Sequence, residues 1–518
     1  MSSWVLNQKN HLIGITILFF SLVTGMMIFK DYGISWDEPL QRVIGIKAHG
    51  YIFSDDKSYE ASFYKEYGVA FEVPLIMIEK SLSLTDTSDI FRMRHLVTHL
   101  FFLISAFFFY LLIWFLYKNK LLAITGYLML LLSPRIFAHS FFNTKDIPFM
   151  SMFIICFFFT IIAFSKKKKR YFILAGLCSG LLINIRVMGI LILFMTILFF
   201  LIDLFKEKGK KQILLSLFVY IISAGGILFL SWPYLWEDPL GNFAAAFISM
   251  SKYRWDNYVL MFGEFVRSTK IDWWYFPSWF VITTPVVYLI LGVTGIVVLC
   301  FHILRSPGKF LTSTTERNQL LFLSCFAAPV MAVIVMHSVL YDTWRQLFFI
   351  YPSFLLLAIY GLSSILSRKS GNGSLIKYVV AGIIALSFVN TVWFMVKSHP
   401  FQDVYFNQLV SHKEQSLRKN FEMNFWGTGY KQALEYILEN DKSAKIRIMA
   451  ANMPGEHNLL LMDEQDRKRV HYVYSLAQAN YFITNYRWHP GDYGYLPSRQ
   501  FFTINVLSSD IISVWKLQ

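Results

Sequence analysis

The chain has 518 residues, of which 55% are hydrophobic, 18% are aromatic and only 16% are charged. Soluble domains carry about 25% charged residues, so this composition excludes both an ordinary water-soluble protein and a disordered chain. The 48 Lys and Arg residues outnumber the 33 Asp and Glu residues, which gives a net charge of +15. The basic residues stand in short runs between apolar stretches. That pattern is typical of the cytoplasmic loops of a membrane protein rather than of a nucleic-acid-binding surface.

Apolar stretches follow one another along the first three quarters of the chain. A membrane-spanning helix needs about 20 mostly apolar residues, and about eleven stretches approach that length. They are predicted at 12–29, 95–117, 120–134, 147–164, 171–185, 187–204, 212–231, 278–303, 319–339, 346–366 and 375–396. The first is interpreted as an uncleaved anchor because no convincing small-residue cleavage site follows it. Arg186 interrupts one long apolar run, which predicts a tight hairpin with this residue at its tip.

The positions of Lys and Arg give these spans a direction. Alternate loops are basic, and cytoplasmic loops carry an excess of Lys and Arg. The residues concerned are Lys118 and Lys120; Lys166, Lys167, Lys168, Lys169 and Arg170; Lys206, Lys208, Lys210 and Lys211; Arg305, Lys309 and Arg317; and Arg368, Lys369 and Lys377. The N-terminus is therefore expected in the cytoplasm and the C-terminal tail outside it.

The predicted fold class is a polytopic α-helical membrane protein with a C-terminal extracytoplasmic α/β domain. Residues 1–397 form the transmembrane domain, with interfacial helices in the long outer loops 30–94 and 232–277. In residues 398–518 the apolar runs shorten and charged residues return, which predicts a soluble domain. A helix is expected there at 430–439, and strands at 445–449, 470–474, 481–484 and 501–506.

Two adjacent carboxylates, Asp37 and Glu38, follow the first span between Trp36 and Pro39. One interpretation is a solvated loop that Pro39 turns. The other is a carboxylate held at the membrane surface as a general base, within hydrogen-bond reach of the proton that it removes. The segment 40–53 that follows alternates apolar and polar residues at helical spacing, which predicts a helix lying in the membrane interface.

A second group of charged residues lies in the segment 133–148, which is predicted to be a short outer loop. It contains Arg135, His139, Lys145 and Asp146, the last at the very start of a span. Asp146 is either an interfacial cap or part of a polar cavity, because a charge deep in the bilayer costs about 2.5–3.5 kcal/mol. His139 has no second ligand at metal spacing, so no metal site is assigned.

Two arginines complete the candidate site. Arg186 either snorkels at its hairpin tip or pairs with an anion. Arg345 ends a segment beginning at Tyr341 that is either an aromatic anchor with an Asp342–Arg345 contact or part of the same site. Acids at two outer span ends and cations at three are thus expected on one face of the membrane. That combination favours transfer chemistry on a substrate with an anionic head and an apolar tail, since guanidinium groups pair with phosphates.

This pattern resembles the GT-C class of polytopic glycosyltransferases, and more narrowly the bacterial relatives of the protein O-mannosyltransferase and aminoarabinose transferase group. The resemblance rests on the acidic first loop, on Asp146 at the outer start of the fourth span, on the Gly-rich stretch 176–186 and on the segment 341–345. It implies an enzyme that moves a hexose or pentose from a polyprenyl-phosphate donor to an acceptor hydroxyl on a glycan, lipid or protein. Transfer would occur at the extracytoplasmic face, with inversion.

The resemblance also implies roles for the residues. Asp37 is the expected catalytic base, with Glu38 as the alternative, and Asp146 would orient the acceptor or the base. The expected donor-phosphate ligands are Arg135, Lys145, Arg186 and Arg345. No cofactor is assigned, although a divalent cation at the Asp37–Glu38 pair stays open. The expected location is a bacterial inner membrane in contact with membrane lipid, and no nucleic acid is expected as a partner.

Two other classes of function remain at this point. A transporter or flippase of a lipid-linked substrate is compatible with about eleven spans, but the paired broken helices of such proteins are not evident in the sequence. A non-catalytic membrane scaffold whose tail binds a partner is the other. In a scaffold the outer acids would tolerate neutral replacement.

Overall fold

The computed structural model of the protein describes residues 8–54, 56–206, 209–251, 255–367 and 373–517. Three residues of the predicted basic loops, Lys208, Arg368 and Lys369, lie outside these ranges. The described residues form a bundle of long apolar helices followed by a small sheet with parallel and antiparallel strands.

The N-terminal part of the bundle is helical almost throughout. Its helices are α1 Gln8–Ile28, α2 Glu38–Ser54, α3 Glu72–Ser81, α4 Thr87–Tyr117, α5 Lys120–Leu131, α6 Pro134–Phe142, α7 Asp146–Lys166, α8 Lys169–Ile185, α9 Ile190–Lys206 and α10 Lys210–Ser231. The short helices α2 and α3 occupy the long segment between α1 and α4, and α2 matches the helix predicted after the acidic pair.

The second part of the bundle begins with a long connecting segment that contains a hairpin. Its elements are α11 Pro239–Ser251, β1 Tyr258–Met261, β2 Glu264–Arg267, α12 Tyr275–Thr283, α13 Val286–Arg305, α14 Pro307–Thr312, α15 Thr314–Val335, α16 Tyr351–Leu366 and α17 Gly373–Lys397. A 3₁₀ helix, Arg345–Ile350, leads directly into α16.

Within the described residues, nine helical segments are long and apolar enough to cross a membrane, or ten if the bent pair α5 and α6 counts as one span. The predicted polytopic membrane protein is confirmed. The predicted number of about eleven is slightly higher because it includes α8, which has 17 residues. A span needs about 20, so α8 is short for a membrane-crossing helix.

The prediction of a loop at 133–148 is wrong for most of its length, because Pro134–Phe142 is a helix, α6. Pro134 occupies its first turn, where a missing N–H costs nothing and the ring fixes a helical φ. The same ring prevents α5 from continuing, so the two helices meet at an angle of 59°. The predicted span 278–303 is likewise divided, into α12 and α13, just before Val286. As a result α6 carries its polar residues into the protein interior.

The C-terminal part folds as a five-stranded sheet with flanking helices. Its elements are α18 Ser416–Asn420, α19 Tyr430–Asn440, β3 Ile446–Ala450, α20 Pro454–His457, α21 Glu464–Arg469, β4 Val470–Tyr472, β5 Tyr481–Thr484, β6 Phe502–Val506 and β7 Ser509–Lys516. The strand order is β4-β3-β5-β7-β6, with β3 parallel to both β4 and β5 and with β7 antiparallel to its neighbours. The apolar face of α19 packs on this sheet through Tyr430, Leu434 and Ile437.

The helix and the four strands predicted for this part are present, but β7 was not predicted. Its residues are buried on both faces along most of its length. A strand that is buried on both faces need not alternate apolar and polar residues, and that alternation is the pattern by which a half-exposed strand is predicted from sequence.

The loop that follows α1 is fixed against this sheet domain. The backbone N–H of Ile34 donates to Asn458 Oδ1 at 2.9 Å, and Asn458 Nδ2 donates back to the Ile34 carbonyl at 3.0 Å. A Cβ on Gly33 would lie 2.0 Å from the Thr428 carbonyl oxygen, so only glycine permits this approach. Ile34 itself joins the apolar core under α19. The loop that leads to Asp37 is therefore held between the bundle and the C-terminal sheet.

Candidate active site

Arg345 is the centre of the site. Its Nη1 donates to Asp37 Oδ2 at 3.1 Å and to Asp146 Oδ2 at 3.2 Å, and its Nη2 donates to Asp342 Oδ2 at 3.2 Å. These acids come from the first loop, the start of α7 and the segment before α16. One buried guanidinium thus brings together both acids that the sequence predicted to meet at the outer side.

Asp146 is the most firmly held of these acids. It begins α7, where the helix N-terminus favours a negative charge. Asn143 fixes it twice, by accepting its backbone N–H at 2.8 Å and by donating Nδ2–H to its Oδ2 at 3.0 Å. Its other oxygen, Oδ1, forms an ion pair with Arg186 Nη2. Arg186 follows α8 immediately, so the break in the long apolar run places its guanidinium beside a buried carboxylate.

Lys145 lies next to this pair. Its Nζ is 3.4 Å from the centre of the Tyr67 ring. Loss of solvent and then repulsion from Arg186 lower the pKa of Lys145 to about 7, although Asp37 and Asp146 act in the opposite direction. At neutral pH this amine is close to the point where it gains or loses its charge. The approach of an anion would raise its pKa and charge it.

We refer to Asp37, Lys145, Asp146, Arg186, Asp342 and Arg345 together as the charged cluster. Its three carboxylates differ in accessibility: the side chain of Asp37 is 31% exposed, whereas those of Asp146 and Asp342 are 1% and 6% exposed. No described residue donates a hydrogen bond to Asp37 Oδ1. Of these three acids, Asp37 can therefore meet a substrate that approaches from solvent, whereas the other two serve to hold the guanidinium groups.

Glu38 lies apart from the charged cluster. Its Oε2 accepts the backbone N–H of Ser35 at 2.8 Å, and its Oε1 is 3.0 Å from His95 Nε2 on α4. Its side chain is buried. The two adjacent acids thus face different partners, and the contacts of Glu38 are those of a residue that fixes the loop carrying Asp37.

Arg135 also lies outside the charged cluster. It sits on α6 with its Nε donating to the Tyr405 carbonyl at 3.1 Å. Its guanidinium stacks near the rings of Trp279 and Phe406, at 5.5 and 5.1 Å from their centres. The nearby Asp403 is buried, and burial raises the pKa of its carboxyl to about 7. The structure does not bring Arg135 to the acids that Arg345 and Arg186 bind, and its role as a phosphate ligand stays a prediction.

Three further residues complete the surroundings of Arg345. The Trp426 ring centre lies 4.6 Å from the guanidinium, and the indole Nε1–H donates to His139 Nε2 at 3.3 Å. Arg487 Nη2 donates to Asp342 Oδ1 at 2.6 Å. Trp426 and Arg487 belong to the C-terminal part, more than 80 residues beyond Arg345 in the chain. No local pattern around them points to a site in the membrane domain, so sequence reasoning missed them.

An apolar cavity of about 310 Å³ lies among helices that include α7 and α8. Its lining is Ala70, Phe71, Pro74, Val97, Leu100, Phe101, Ile104, Met152, Leu181 and Ile185, which come from α3, α4, α7, α8 and the residues before α3. Ile185 directly precedes Arg186, and Met152 lies less than two helical turns after Asp146. Asn184 Oδ1 accepts the backbone N–H of Val69 at 2.9 Å near the end of α8. Of the helices that line the cavity, α7 begins at Asp146 and α8 ends just before Arg186. An apolar space among helices whose ends carry these charged residues suits a ligand with a hydrocarbon tail and an anionic head.

Residues 75–236 match the model of the family described as dolichyl-phosphate-mannose-protein mannosyltransferase. The matched region includes Arg135, Lys145, Asp146 and Arg186. A comparison with the sequences of characterised proteins gives no significant match.

Solved structures resemble the chain at low sequence identity. The apo oligosaccharyltransferase of Archaeoglobus fulgidus superposes with a TM-score of 0.51 and 12% identity, over 92% of this chain and 66% of its own. Apo ArnT from Cupriavidus metallidurans gives a TM-score of 0.48 and 11% identity, over 99% and 98% of the two chains. ArnT bound to undecaprenyl phosphate gives 0.46 and 9%, over 98% of each chain.

The chain thus spans just under two thirds of the length of the archaeal oligosaccharyltransferase. The likeness to that enzyme confirms the predicted polytopic fold with a C-terminal sheet domain. With the family match, it also confirms the resemblance to GT-C glycosyltransferases.

Proposed function

We propose that the chain is an integral membrane glycosyltransferase that moves a sugar from a polyprenyl-phosphate donor to an acceptor hydroxyl on the extracytoplasmic face. One observation carries the proposal. A partly exposed carboxylate, Asp37, shares a guanidinium with the buried Asp146, and three cations, Lys145, Arg186 and Arg345, meet at these acids. The family match over 75–236 supports the same class of donor.

The donor is expected to bind with its tail in the apolar cavity and its phosphate at Arg186, Lys145 and Arg345. A guanidinium presents paired donors that match phosphate oxygens, whereas the lysine acts as a point charge. As the phosphate approaches, it counteracts the repulsion between Lys145 and Arg186 and favours the charged amine. Binding of the donor phosphate therefore offsets part of the electrostatic repulsion between Lys145 and Arg186.

The proposed reaction is a direct displacement. The acceptor oxygen attacks the anomeric carbon while its proton passes to Asp37 Oδ1. The bond from the anomeric carbon to the phosphate oxygen breaks, and polyprenyl phosphate leaves with the electron pair, so configuration inverts. Negative charge grows on the phosphate as it leaves, and the fixed cations stabilise it. Removal of one such group in a comparable enzyme costs about 2.7–4 kcal/mol.

The orientation follows from the length of α7. This helix has 21 residues, with Asp146 at one end and Lys166 at the other. At 1.5 Å per residue it is about 30 Å long, the thickness of the hydrocarbon core. The charged cluster and the basic run 166–170 therefore belong to opposite faces. Because basic loops face the cytoplasm, we assign the cluster and the C-terminal sheet to the outer face of a bacterial inner membrane.

The contacts that the acidic side chains already make do not favour the binding of a divalent cation at this site. Asp37 and Asp146 already receive N–H groups from Arg345, and Arg186 binds Asp146 as well. Glu38, the other acid of the sequence pair, faces His95. Among the described residues, no group of three or more His, Cys, Asp or Glu is placed to hold a metal ion. We therefore derive no step through a metal, and transfer is expected to persist in EDTA.

The test uses the full chain in lipid nanodiscs. Binding is measured with undecaprenyl phosphate, and undecaprenol serves as the control without a phosphate. Transfer is measured with a panel of tritiated hexose- and pentose-linked undecaprenyl phosphates, using membranes of cells that lack the gene as the source of acceptor. Mass spectrometry of glycans and glycolipids with and without the gene identifies the product.

Asp37→Asn is the decisive variant, and Asp89→Asn, an exposed acid at the start of α4, is the matched control. We expect Asp37→Asn to bind undecaprenyl phosphate within about twofold of the wild type but to lose transfer by at least 100-fold, since the acceptor proton has no base. Transfer by Asp37→Asn near the wild-type rate would remove Asp37 from the mechanism. Movement of labelled lipid between leaflets without any transfer from the whole panel would favour the transporter instead.

A further inference from the structure

The carboxylate of Asp342 is shared between two arginines from different parts of the chain. Its Oδ2 accepts from Arg345 Nη2 at 3.2 Å, and its Oδ1 accepts from Arg487 Nη2 at 2.6 Å. All three side chains are buried. A continuous series of ion pairs therefore runs from Arg487, in the C-terminal part, through Asp342 and Arg345 to Asp37.

Arg487 is itself held from three sides. Its Nη1 donates to the Phe425 carbonyl at 2.8 Å, one residue before the indole that stacks on Arg345. Its guanidinium lies 4.9 Å from the ring centre of Trp36 and 4.7 Å from that of Trp488. Trp36 directly precedes Asp37. Arg487 thus contacts the first loop and the Asp342 segment at once, and its planar group has little freedom to turn.

The backbone is strained at both ends of this ion pair. Asp342 and Thr343 have φ values of 53° and 70°, and Tyr486 and Trp488, on either side of Arg487, have 60° and 63°. Positive φ is uncommon outside glycine and is unfavourable for a β-branched residue such as Thr343. Residues held in such conformations cluster at functional sites, where the surrounding structure imposes them. Two strained segments that meet at one ion pair indicate that the position of that pair matters.

The electrostatics suggest what the pair does. Arg345 faces three carboxylates with one positive charge. If Asp342 had no other partner, its full charge would draw the guanidinium toward it and away from Asp37. Because Arg487 neutralises Asp342, Arg345 is left to hold Asp37 and Asp146.

We propose that Arg487 is a positioning residue: by fixing Asp342 it holds Arg345 against Asp37, so that the C-terminal sheet domain supplies part of the active site. The proposal rests on the proposed transferase function. It assigns to this domain a role in the reaction itself, and it predicts an effect on the rate of transfer rather than on donor binding.

The test compares Arg487→Gln with Arg467→Gln in the full chain in nanodiscs. Arg467 forms an ion pair with Asp86 at 2.5 Å, so its loss also breaks a contact between the C-terminal part and the bundle, but away from the charged cluster. The readouts are kcat and donor KM for transfer, affinity for undecaprenyl phosphate, and the midpoint of thermal unfolding. Arg487→Lys, Asp342→Asn and the Arg487→Gln/Asp342→Asn double variant complete the set.

We expect Arg487→Gln to lower kcat at least tenfold, with donor KM and undecaprenyl phosphate affinity within threefold of the wild type. Arg467→Gln should keep kcat within twofold. Arg487→Lys should restore part of the rate, since an ammonium reaches Asp342 but cannot also span to the Phe425 carbonyl. In the double variant Asp342→Asn removes the charge that would draw Arg345 away, so it should recover at least part of the rate that Arg487→Gln loses.

Several results would overturn the proposal: a kcat within twofold for Arg487→Gln, an equal loss in Arg467→Gln, or a double variant that is as slow as Arg487→Gln or slower. If Arg487→Gln does not fold, the double variant, which leaves neither charge of this ion pair unpaired, decides: a kcat more than tenfold below the wild type would overturn the proposal. A wild-type chain that transfers from no donor in the panel would overturn the proposed function and this inference together. Wild-type transfer with an unaffected Arg487→Gln would overturn this inference alone.

Discussion

The affinity of the charged cluster for a phosphate should depend on pH through Lys145. Burial and Arg186 place the pKa of this amine at about 7 in the free protein, far below the usual value for lysine. A bound phosphate raises that pKa, since it favours the charged form. The affinity for phosphate should therefore fall as the pH rises. Below pH 7 the lysine is already charged in the free protein, so binding is strongest there. Above pH 7 the free amine is mostly neutral, so binding of the phosphate requires uptake of a proton.

The size of the effect follows from the same value. If the bound phosphate keeps Lys145 charged up to pH 9, linkage predicts that the Kd for undecaprenyl phosphate increases by at most about 25-fold from pH 7.5 to pH 9. The phosphate monoester itself contributes little over this range, because its second pKa is about 6. The measurement is equilibrium binding of undecaprenyl phosphate to the chain in nanodiscs at several pH values and constant ionic strength.

Two variants isolate the lysine. Lys145→Arg keeps its charge throughout, so its Kd should be nearly independent of pH. Lys145→Gln should bind weakly and with an equally flat profile. A wild-type Kd that does not change between pH 7.5 and pH 9 would refute the reasoning, as would a Lys145→Arg profile with the wild-type slope.

Two further predictions concern stability and the donor tail. Asp146→Asn removes the buried counter-charge of Arg186 and Arg345, which should destabilise the fold by about 3–5 kcal/mol; unfolding measurements should show a change within about 0.5 kcal/mol for the exposed control Asp89→Asn, and equal stability of the two variants would contradict the burial argument. Leu181→Trp places an indole in the 310 Å³ cavity and should weaken undecaprenyl phosphate binding at least tenfold. Leu174→Trp, at an exposed position two turns earlier on α8 that does not line the cavity, should leave it unchanged.

The meeting of Asp37 and Asp146 could be predicted because topology alone brings them to one face. Each acid stands at an end of an apolar run, and the alternation of basic loops puts both ends on the same side. Arg186 and Arg345 follow from the same argument. What topology cannot give is which of two adjacent carboxylates faces the site. Glu38 turns toward His95, a residue on α4 whose position depends on how the bundle packs.

Other parts of the site depended on signals that are weak or absent in the sequence. Pro134 could have been interpreted as the start of α6, but the apolar run that ends just before it and the charged residues that follow it favoured a span followed by a loop. The strand β7 hides its alternation because both of its faces are buried. Arg487 and Trp426 reach Arg345 only through the docking of the sheet domain, which no local spacing encodes.

The close fit of Gly33 under the Thr428 carbonyl limits how such enzymes can be recombined. A C-terminal part taken from a relative would have to pack its backbone directly against Gly33, as Thr428 does here. It would also have to supply a side-chain amide equivalent to that of Asn458. Without both, the loop that carries Asp37 would no longer be held in place, even though every membrane span was unchanged. A chimera that exchanges the C-terminal part thus requires residues 33–36 to be exchanged with it.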